Sequence, residues 1–418
     1  MIIVRLAVIG LLAACTTPVP RTADAPTETP PDQERHYTIW LGGARVGTAE
    51  ETEVWSRSGV VLRRVESLRF LRGDAPVALS TTIEIAADHA LSASRVTWTE
   101  HAGAVRHATA IRDARGWMVA LDGAQLRLPD DAVPAELIPL AVRRDGKFAG
   151  AVFLPARGFV LGRGRIDPVA PARLVARLEL DAGVVVEATI DLGDDGVPAR
   201  VVDGEGVIAM RATAAQARAD YPLVDLIAAT SVPITGHRSS RLALDGDLAL
   251  PAVPGQRVDP AMAAAGGLSL ELSAKLPGEL PPGPDGGDRS RDIRAVVASV
   301  QSRIVPDLGA RIASPRDASS ATAGDCTTFA LAYAAIAQRL AIPTRVVTGL
   351  RVDGDRLVRH RWAVSWTGSA WIAVDAAFGA APAGGDLIGL AIHDADDAGL
   401  IAGEAALMQV RGASWLAP

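Results

Sequence analysis

GDCTTFALAYAAIAQRLAIP, residues 324–343, is the stretch that decides the fold of this chain. Gly324-Asp325 is a turn and helix-cap signal, and the residues after it are rich in Ala and Leu. Large apolar residues then recur at the spacing of one helical face: Phe329, Tyr333, Ile336 and Leu340. Pro343 cannot continue a helix. The pattern predicts a buried helix over 326–340, with Cys326 in its first turn.

The predicted position of Cys326 has chemical consequences. The first turn of a helix holds backbone N–H groups without partners inside the helix, and the helix dipole there favours negative charge. A thiolate is negative and a thiol is neutral, so we expect a lowered pKa for this cysteine. The same N–H groups are candidates to hold the oxyanion of a tetrahedral intermediate. A small buried hydrophobic residue is the alternative interpretation of a cysteine in an Ala-rich helix.

Three strands are predicted after the helix: TRVVTGLRV, then residues 357–366, then WIAVD. Alternation along the second strand places His360 on the same face as Trp362. Asp375 ends the third strand, 15 residues after His360, which suits adjacent antiparallel strands joined by a short loop. An aspartate there can hold one imidazole nitrogen while the other faces Cys326. We therefore predict a catalytic triad of Cys326, His360 and Asp375.

Taken together, these motifs resemble the transglutaminase-like superfamily of papain-type folds. The family pattern is Gly-Asp-Cys-Thr, a helix, Gly-Ile-Pro-Ala-Arg, a strand, His-Ala-Trp, and Trp-x-x-x-Asp. The matching residues are Gly324, Asp325, Cys326, Thr327, Ile342, Pro343, Arg345, His360, Trp362, Trp371 and Asp375. The resemblance covers roughly residues 288–395 and implies a helix carrying the cysteine, packed on an antiparallel sheet.

Two positions depart from the family pattern. Arg361 stands where members often have Ala, and Thr328-Phe329 replaces the common Glu-His. Both departures are expected to alter the acceptor side of the cleft. The candidate substrate-binding residues there are Trp362, Arg361 and Thr327.

The predicted chemistry is acyl transfer. The Cys326 thiolate attacks an amide or ester carbonyl, His360 protonates the leaving amine, and Asp375 fixes the imidazole tautomer. Water resolves the thioester in a hydrolase, and an amine resolves it in a transglutaminase; the sequence leaves this choice open. By resemblance to bacterial relatives we favour a protease, peptidase or amidase acting on a peptide, a protein or a peptidoglycan stem peptide. No cofactor is expected, because the sequence shows no metal-ligand or calcium-site pattern.

An alternative function belongs to a different class. A non-catalytic lipoprotein could use its β domain and papain-like groove as a peptide- or glycan-binding platform. Nucleic acid is not an expected partner. The formal net charge is −6, and no basic cluster with interleaved aromatic residues occurs in the sequence.

The N-terminus indicates export. Arg5 precedes an apolar run that is too short to span a bilayer as a helix. Leu12-Ala13-Ala14-Cys15 resembles the lipobox of bacterial lipoproteins, which implies cleavage before Cys15 and lipidation of its thiol; an ordinary signal peptide is the alternative. The resemblance to bacterial lipoproteins also implies that Thr16, in place of Asp, favours the outer membrane over the inner if the host has one, and we expect the periplasmic face of the cell envelope. Cys326 would then be the one free thiol of an exported chain, which favours catalytic use.

The fold class is predicted to be α+β, with five segments. Residues 1–15 form the signal peptide, and 16–35 form a disordered Pro/Thr-rich tether. Short strands with regular turn signals over 36–235 predict an antiparallel β domain, curved or closed as a partial barrel, with a short helix at 135–143. A β segment and Pro/Gly linker occupy 236–287. The catalytic domain, 288–418, opens with an amphipathic helix over 290–305.

Two other groups of histidine and acidic residues could suggest a binding role. His101 and His107 lie too far apart on a strand to share a metal ion. His393-Asp394 with Asp396-Asp397 could suggest a cation site, but an acidic solvated loop is the preferred interpretation.

Overall fold

A computed structural model describes residues 30–180, 185–259, 268–310 and 315–417. The chain forms two compact units. In the described part of the chain, the first holds 30–71 and 76–224, and the second holds 225–417 together with the four residues Arg72–Ala75. The boundary predicted near residue 235 therefore falls earlier. The predicted signal peptide, Cys15 and most of the tether lie outside the described residues.

The first unit is built on one sheet of fifteen strands, counted over the residues that the structure describes. The strands are β1 (Gln33–Leu41), β2 (Ala44–Ser56), β3 (Gly59–Arg72), β4 (Ala75–Ala87), β5 (Ala93–Ala102), β6 (Ala104–Asp113), β7 (Gly116–Leu121), β8 (Ala124–Leu128), β9 (Val133–Pro134), β10 (Phe148–Leu154), β11 (Val160–Ala170), β12 (Arg173–Leu180), β13 (Val185–Leu192), β14 (Pro198–Val202) and β15 (Ile208–Ala212). Two helices accompany them, α1 (Ile138–Asp145) and α2 (Ala214–Arg218).

The strands of this sheet follow one another as a meander on each side of the β1–β15 pair. The hydrogen-bonded order runs from β8 through β1 to β15 and then to β9. Within the described ranges, β8 and β9 do not pair with each other, so the sheet is not closed by hydrogen bonds. Alternate residues of β3 are buried, as the sequence pattern predicts for a strand with one face on a core. The helix predicted at 135–143 is a 3₁₀ turn, Ala135–Leu137, followed by α1.

The second unit combines strands and helices. Its strands are β16 (Val232–Thr235), β17 (Arg241–Gly246), β18 (Gln256–Asp259), β19 (Leu268–Leu272), β20 (Val305–Pro306), β21 (Ala323–Gly324), β22 (Thr344–Asp353), β23 (Arg356–Trp366), β24 (Trp371–Asp375), β25 (Ala380–Ala383), β26 (Leu387–His393) and β27 (Val410–Trp415). Its helices are α3 (Leu226–Thr230), α4 (Ser290–Arg303), α5 (Cys326–Arg339) and α6 (Asp397–Leu407).

The central strand of this unit is β23, which pairs with β16, β22 and β24. Ala363 lies in a core cluster with apolar residues of α4 and α5, such as Val300 and Tyr333. Trp362 belongs to a different cluster, with Val253. Both faces of β23 are therefore covered. The alternation in the sequence predicts only one buried face of β23. It does not report the second, because the elements that cover that face come from distant parts of the chain.

The segment 236–287, predicted as a separate β segment and linker, is partly integrated into the sheet of the second unit. Its strands β17–β19 extend the same sheet, and β17 pairs antiparallel with the C-terminal strand β27, with Leu242 opposite Trp415. No local sequence signal marks a pairing across so many residues. Among the described residues, no helix has both the length and the apolar character needed to cross a bilayer.

Candidate active site

The N-terminus of α5 is built as the sequence predicts. Cys326 is its first residue and Asp325 is the N-cap, whose Oδ1 accepts hydrogen bonds from the amides of Thr327 at 3.0 Å and Thr328 at 3.2 Å. Only glycine fits at position 324, because a Cβ there would lie 2.2 Å from Thr328 Oγ1. Because the amides of Thr327 and Thr328 donate to Asp325, they are not available to an oxyanion, which corrects the expectation for these two N–H groups.

The other carboxylate oxygen of Asp325 is also occupied. Arg72, which groups with this unit, is fully buried and pairs with Asp325 Oδ2. Burial raises the pKa of the Asp325 carboxyl, whereas Arg72 and the amide of Thr328 lower it. The residue directly before Cys326 is therefore a carboxylate whose charge is balanced by a guanidinium.

His360 lies between Cys326 and Asp375. Its Nε2 is 2.7 Å from Asp375 Oδ2, and its ring is hydrogen-bonded to the Cys326 side chain. Because Nε2 faces the aspartate, Nδ1 is the nitrogen left for the thiol. The antiparallel pairing of β23 with β24 brings the histidine and the aspartate together. Both are buried, whereas Cys326 is partly exposed. The structure thus brings the three predicted triad residues into one constellation.

The electrostatic interaction between Cys326 and His360 favours the charged form of both side chains. Burial raises the pKa of the Cys326 thiol, and the hydrogen-bonded His360 lowers it. Burial lowers the pKa of His360, but Cys326 and Asp375 raise it, and the net shift is upward. Opposite shifts in two hydrogen-bonded groups are those of a thiolate–imidazolium pair.

The three predicted cleft residues have buried positions. Thr327, Trp362 and Arg361 are 0 %, 1 % and 4 % exposed. Trp362 stacks against the His360 ring with centroids 6.0 Å apart. These placements do not present the three side chains to a substrate, which corrects the expectation that they line the acceptor side. Arg361 and Trp362 are buried because other elements cover both faces of β23, and Thr327 is buried because α5 itself packs on this strand.

Arg361 instead centres a buried polar network. It donates hydrogen bonds to Thr327 Oγ1 at 3.0 Å and to Thr348 Oγ1 at 2.8 Å, and it pairs with Glu404 of α6. Arg359 Nη1 lies 3.6 Å from the same Glu404 carboxylate. Sequence reasoning did not identify Glu404. The available signal was a single carboxylate in the otherwise apolar run GLIAGEAAL, residues 399–407.

The predicted acidic loop near His393 has a structural role. The buried His393 ring lies 2.8 Å from Thr348 Oγ1 through Nε2 and 2.8 Å from the Asp394 carbonyl through Nδ1. Burial lowers its pKa to about 3, so the ring is neutral. Asp396 caps α6 through the amide of Gly399. These groups are used by the fold and do not converge on a cation.

One other grouping has ligand atoms close together. Glu34, His36 and Glu50, on β1 and β2, place such atoms within 4.8 Å of one another. Glu34 is exposed, and surface carboxylates often lie near a histidine without binding a metal ion.

A comparison with protein families identifies part of the second unit. Residues 285–376 match the profile of the transglutaminase-like superfamily. This segment is a transglutaminase-like domain. All three triad residues lie inside it, and the superfamily generally has cysteine-dependent hydrolase or acyltransferase activity. The β-rich architecture around this core fits the predicted α+β class.

Other likenesses are weak. No curated protein matches the sequence closely enough to count as a relative. A solved structure, named a "putative cysteine protease" from Cytophaga hutchinsonii, is 13 % identical over 40 % of this chain and 80 % of its own, with a TM-score of 0.24. A TM-score this low does not establish a shared fold. The assignment of the transglutaminase-like domain therefore rests on the family match.

Proposed function

We propose that the transglutaminase-like domain is a cysteine acyl-transfer enzyme that hydrolyses a peptide or amide bond. The observation that carries the proposal is the position of His360, bonded to Cys326 on one side and to Asp375 at 2.7 Å on the other. An imidazole held in this way can take the thiol proton and later deliver it to a leaving amine.

In the proposed reaction each of the three groups has its own role. The Cys326 sulfur attacks the carbonyl carbon, the tetrahedral intermediate collapses to a thioester, and His360 gives its proton to the leaving nitrogen. Asp375 accepts the Nε2–H bond, which keeps Nδ1 directed to the sulfur. His360 then removes a proton from a water molecule while the water oxygen attacks the thioester carbonyl. The C–S bond breaks, and Cys326 is released as the product acid leaves. The partial exposure of Cys326 supports water as the acceptor, because the thioester would be accessible to solvent.

The first prediction concerns the pH dependence of Cys326 alkylation by iodoacetamide. An imidazolium at His360, whose pKa is raised by Cys326 and Asp375, stabilises the thiolate below the ordinary thiol value of about 8.5, so alkylation should remain fast near pH 6. Below the thiol pKa the neutral thiol forms and the rate should fall. Turnover should also fall at high pH, when His360 loses the proton that it must donate; its raised pKa moves that limb upward. The rate at Cys326 is measured by mass spectrometry of its peptide.

His360→Ala tests the pairing in the same assay. Without the imidazolium the thiol pKa should return towards its ordinary value, and the rate near pH 6 should fall by about tenfold or more. His237→Ala, at an exposed loop position of the same unit, is the matched control and should change nothing. Ordinary thiol titration in the wild-type chain would exclude the enzyme proposal and leave the binding-platform alternative.

We also propose that the protein is lipid-anchored at the cell envelope through Cys15, on the periplasmic face, and that its substrate is a peptide, a protein or a peptidoglycan stem peptide. The support is the sequence Leu12-Ala13-Ala14-Cys15. Cys15→Ser should release the protein from membranes and abolish its labelling by a fatty-acid analogue, as judged by fractionation. Cys326→Ser should leave both unchanged. Acyl labelling that persists without Cys15 would contradict the anchor.

A further inference from the structure

An aromatic side chain stands open beside the proposed base. Phe378 lies in the turn between β24 and β25 and is 60 % exposed. Its ring meets the His360 ring edge to face, with centroids 5.6 Å apart and planes at 65°. Among the described residues, it is the one aromatic in the set of large side chains that remain exposed. Singly exposed apolar residues are ordinary, so the position of this one has to be examined.

The ring is held in place and does not swing freely. The Arg351 guanidinium lies over one face, 3.5 Å from the ring centroid, and Arg351 is itself fixed by a 2.8 Å hydrogen bond from its Nε to Asp386. One face of Phe378 is therefore covered by a cation, and the rest of the ring stays open next to His360. A fixed side chain loses little conformational entropy when a ligand packs on it.

The triad also fixes the turn that carries Phe378. Asp375 binds His360 through Oδ2, and its Oδ1 accepts a 3.2 Å hydrogen bond from the amide of Ala377. Gly379 completes the turn with φ +71°, a conformation that suits glycine. The Asp375 carboxylate therefore contacts both His360 and the turn that carries Phe378, so this one group helps to fix the distance between the two rings.

We propose that Phe378 is a specificity-determining residue: its open surface receives an apolar side chain, aromatic or branched aliphatic, that flanks the scissile carbonyl of the acyl donor. The inference rests on the proposed function and names the substrate class for that same site. An acyl group on Cys326 must lie next to His360, and the ring is in contact with His360. The exposed ring surface has no hydrogen-bonding atoms, so it favours apolar over polar groups.

The test compares three reagents on the purified full chain. Cys326 is alkylated with iodoacetamide, with its N-benzyl derivative and with a hydroxyalkyl derivative of similar length, and each rate is divided by that of free cysteine. In the wild-type protein the benzyl reagent should be preferred over iodoacetamide by about tenfold, a size typical of selectivity from one apolar contact. The hydroxyalkyl reagent should show no preference.

Phe378→Ala should remove most of the benzyl preference, measured as the ratio of the two rates within the same variant, and Phe378→Leu should keep part of it. Leu340→Ala removes an exposed apolar side chain at the other end of α5 and should leave the preference intact. An unchanged preference in Phe378→Ala, with a fast iodoacetamide rate, would overturn this inference and spare the proposed function. If iodoacetamide reacts with Cys326 as with an ordinary thiol, the proposed function fails and this inference fails with it.

Discussion

Asp375→Asn should lower turnover by about 10³–10⁴-fold, because the amide selects the wrong imidazole tautomer. Asp375 accepts two hydrogen bonds, from His360 Nε2 and from the backbone amide of Ala377. An asparagine has only one acceptor oxygen for these two donors. If the oxygen stays with the fixed backbone amide, the NH₂ group faces Nε2, which must then accept, and the proton moves to Nδ1. Nδ1 can then no longer take the proton of Cys326.

The same substitution has an effect that requires no known substrate. The Asp375 carboxylate raises the pKa of His360 and so supports the imidazolium beside the thiolate. Its loss should slow the alkylation of Cys326 near pH 6 by about tenfold, or one pKa unit. Asp353→Asn, at an exposed position of β22, is the matched control and should react like the wild type. A wild-type rate in Asp375→Asn would exclude this residue from the triad.

Glu404→Ala is expected to lower the free energy of unfolding by about 3–5 kcal/mol, more than either Glu404→Gln or the surface substitution Glu271→Ala. Glu404 is buried and faces two buried guanidinium groups, those of Arg361 and Arg359. Removing the carboxylate takes from Arg361 the counter-charge with which it pairs in the interior. Arg361 also donates a hydrogen bond to Thr327, the residue after the nucleophile, so the substitution should additionally slow the alkylation of Cys326.

Urea unfolding measures the effect. Glu404→Gln keeps an acceptor oxygen and should lose less stability than Glu404→Ala. Glu271→Ala breaks an ion pair with Arg257 on the surface of the same unit, and such exposed pairs contribute less than about 1 kcal/mol. Equal losses in Glu404→Ala and Glu271→Ala would show that the network around Arg361 does not stabilise the fold.

The sequence predicted some elements of the catalytic unit closely. The helix expected over 326–340 is α5, Cys326–Arg339, and the helix expected over 290–305 is α4, Ser290–Arg303. The strand expected to end at Asp375 ends there. These predictions succeeded because caps, prolines and apolar periodicity act over a few residues. The roles of the triad residues remain predictions, although the structure places the three side chains together.

Other expectations failed for a common reason. Arg361, Trp362 and Thr327 were expected to line the cleft because they flank the motif residues in sequence. Each is buried, since helices and loops from distant parts of the chain cover both faces of β23. The separate β segment expected at 236–287 joins the C-terminal strand β27 for the same reason. Burial depends on packing between residues that are distant in the chain, and the residues adjacent in the sequence do not predict that packing.

By itself, then, the sequence determined the local elements that carry Cys326, His360 and Asp375, because caps, prolines and apolar periodicity act over a few residues. Only the tertiary structure decided what surrounds them. It paired Arg72 with Asp325, gathered Arg361, Thr348, His393 and Glu404 into one network, and left Phe378 open beside His360. These partners are far apart along the chain. The effect of a buried charge or of an exposed ring depends on the groups that folding places next to it.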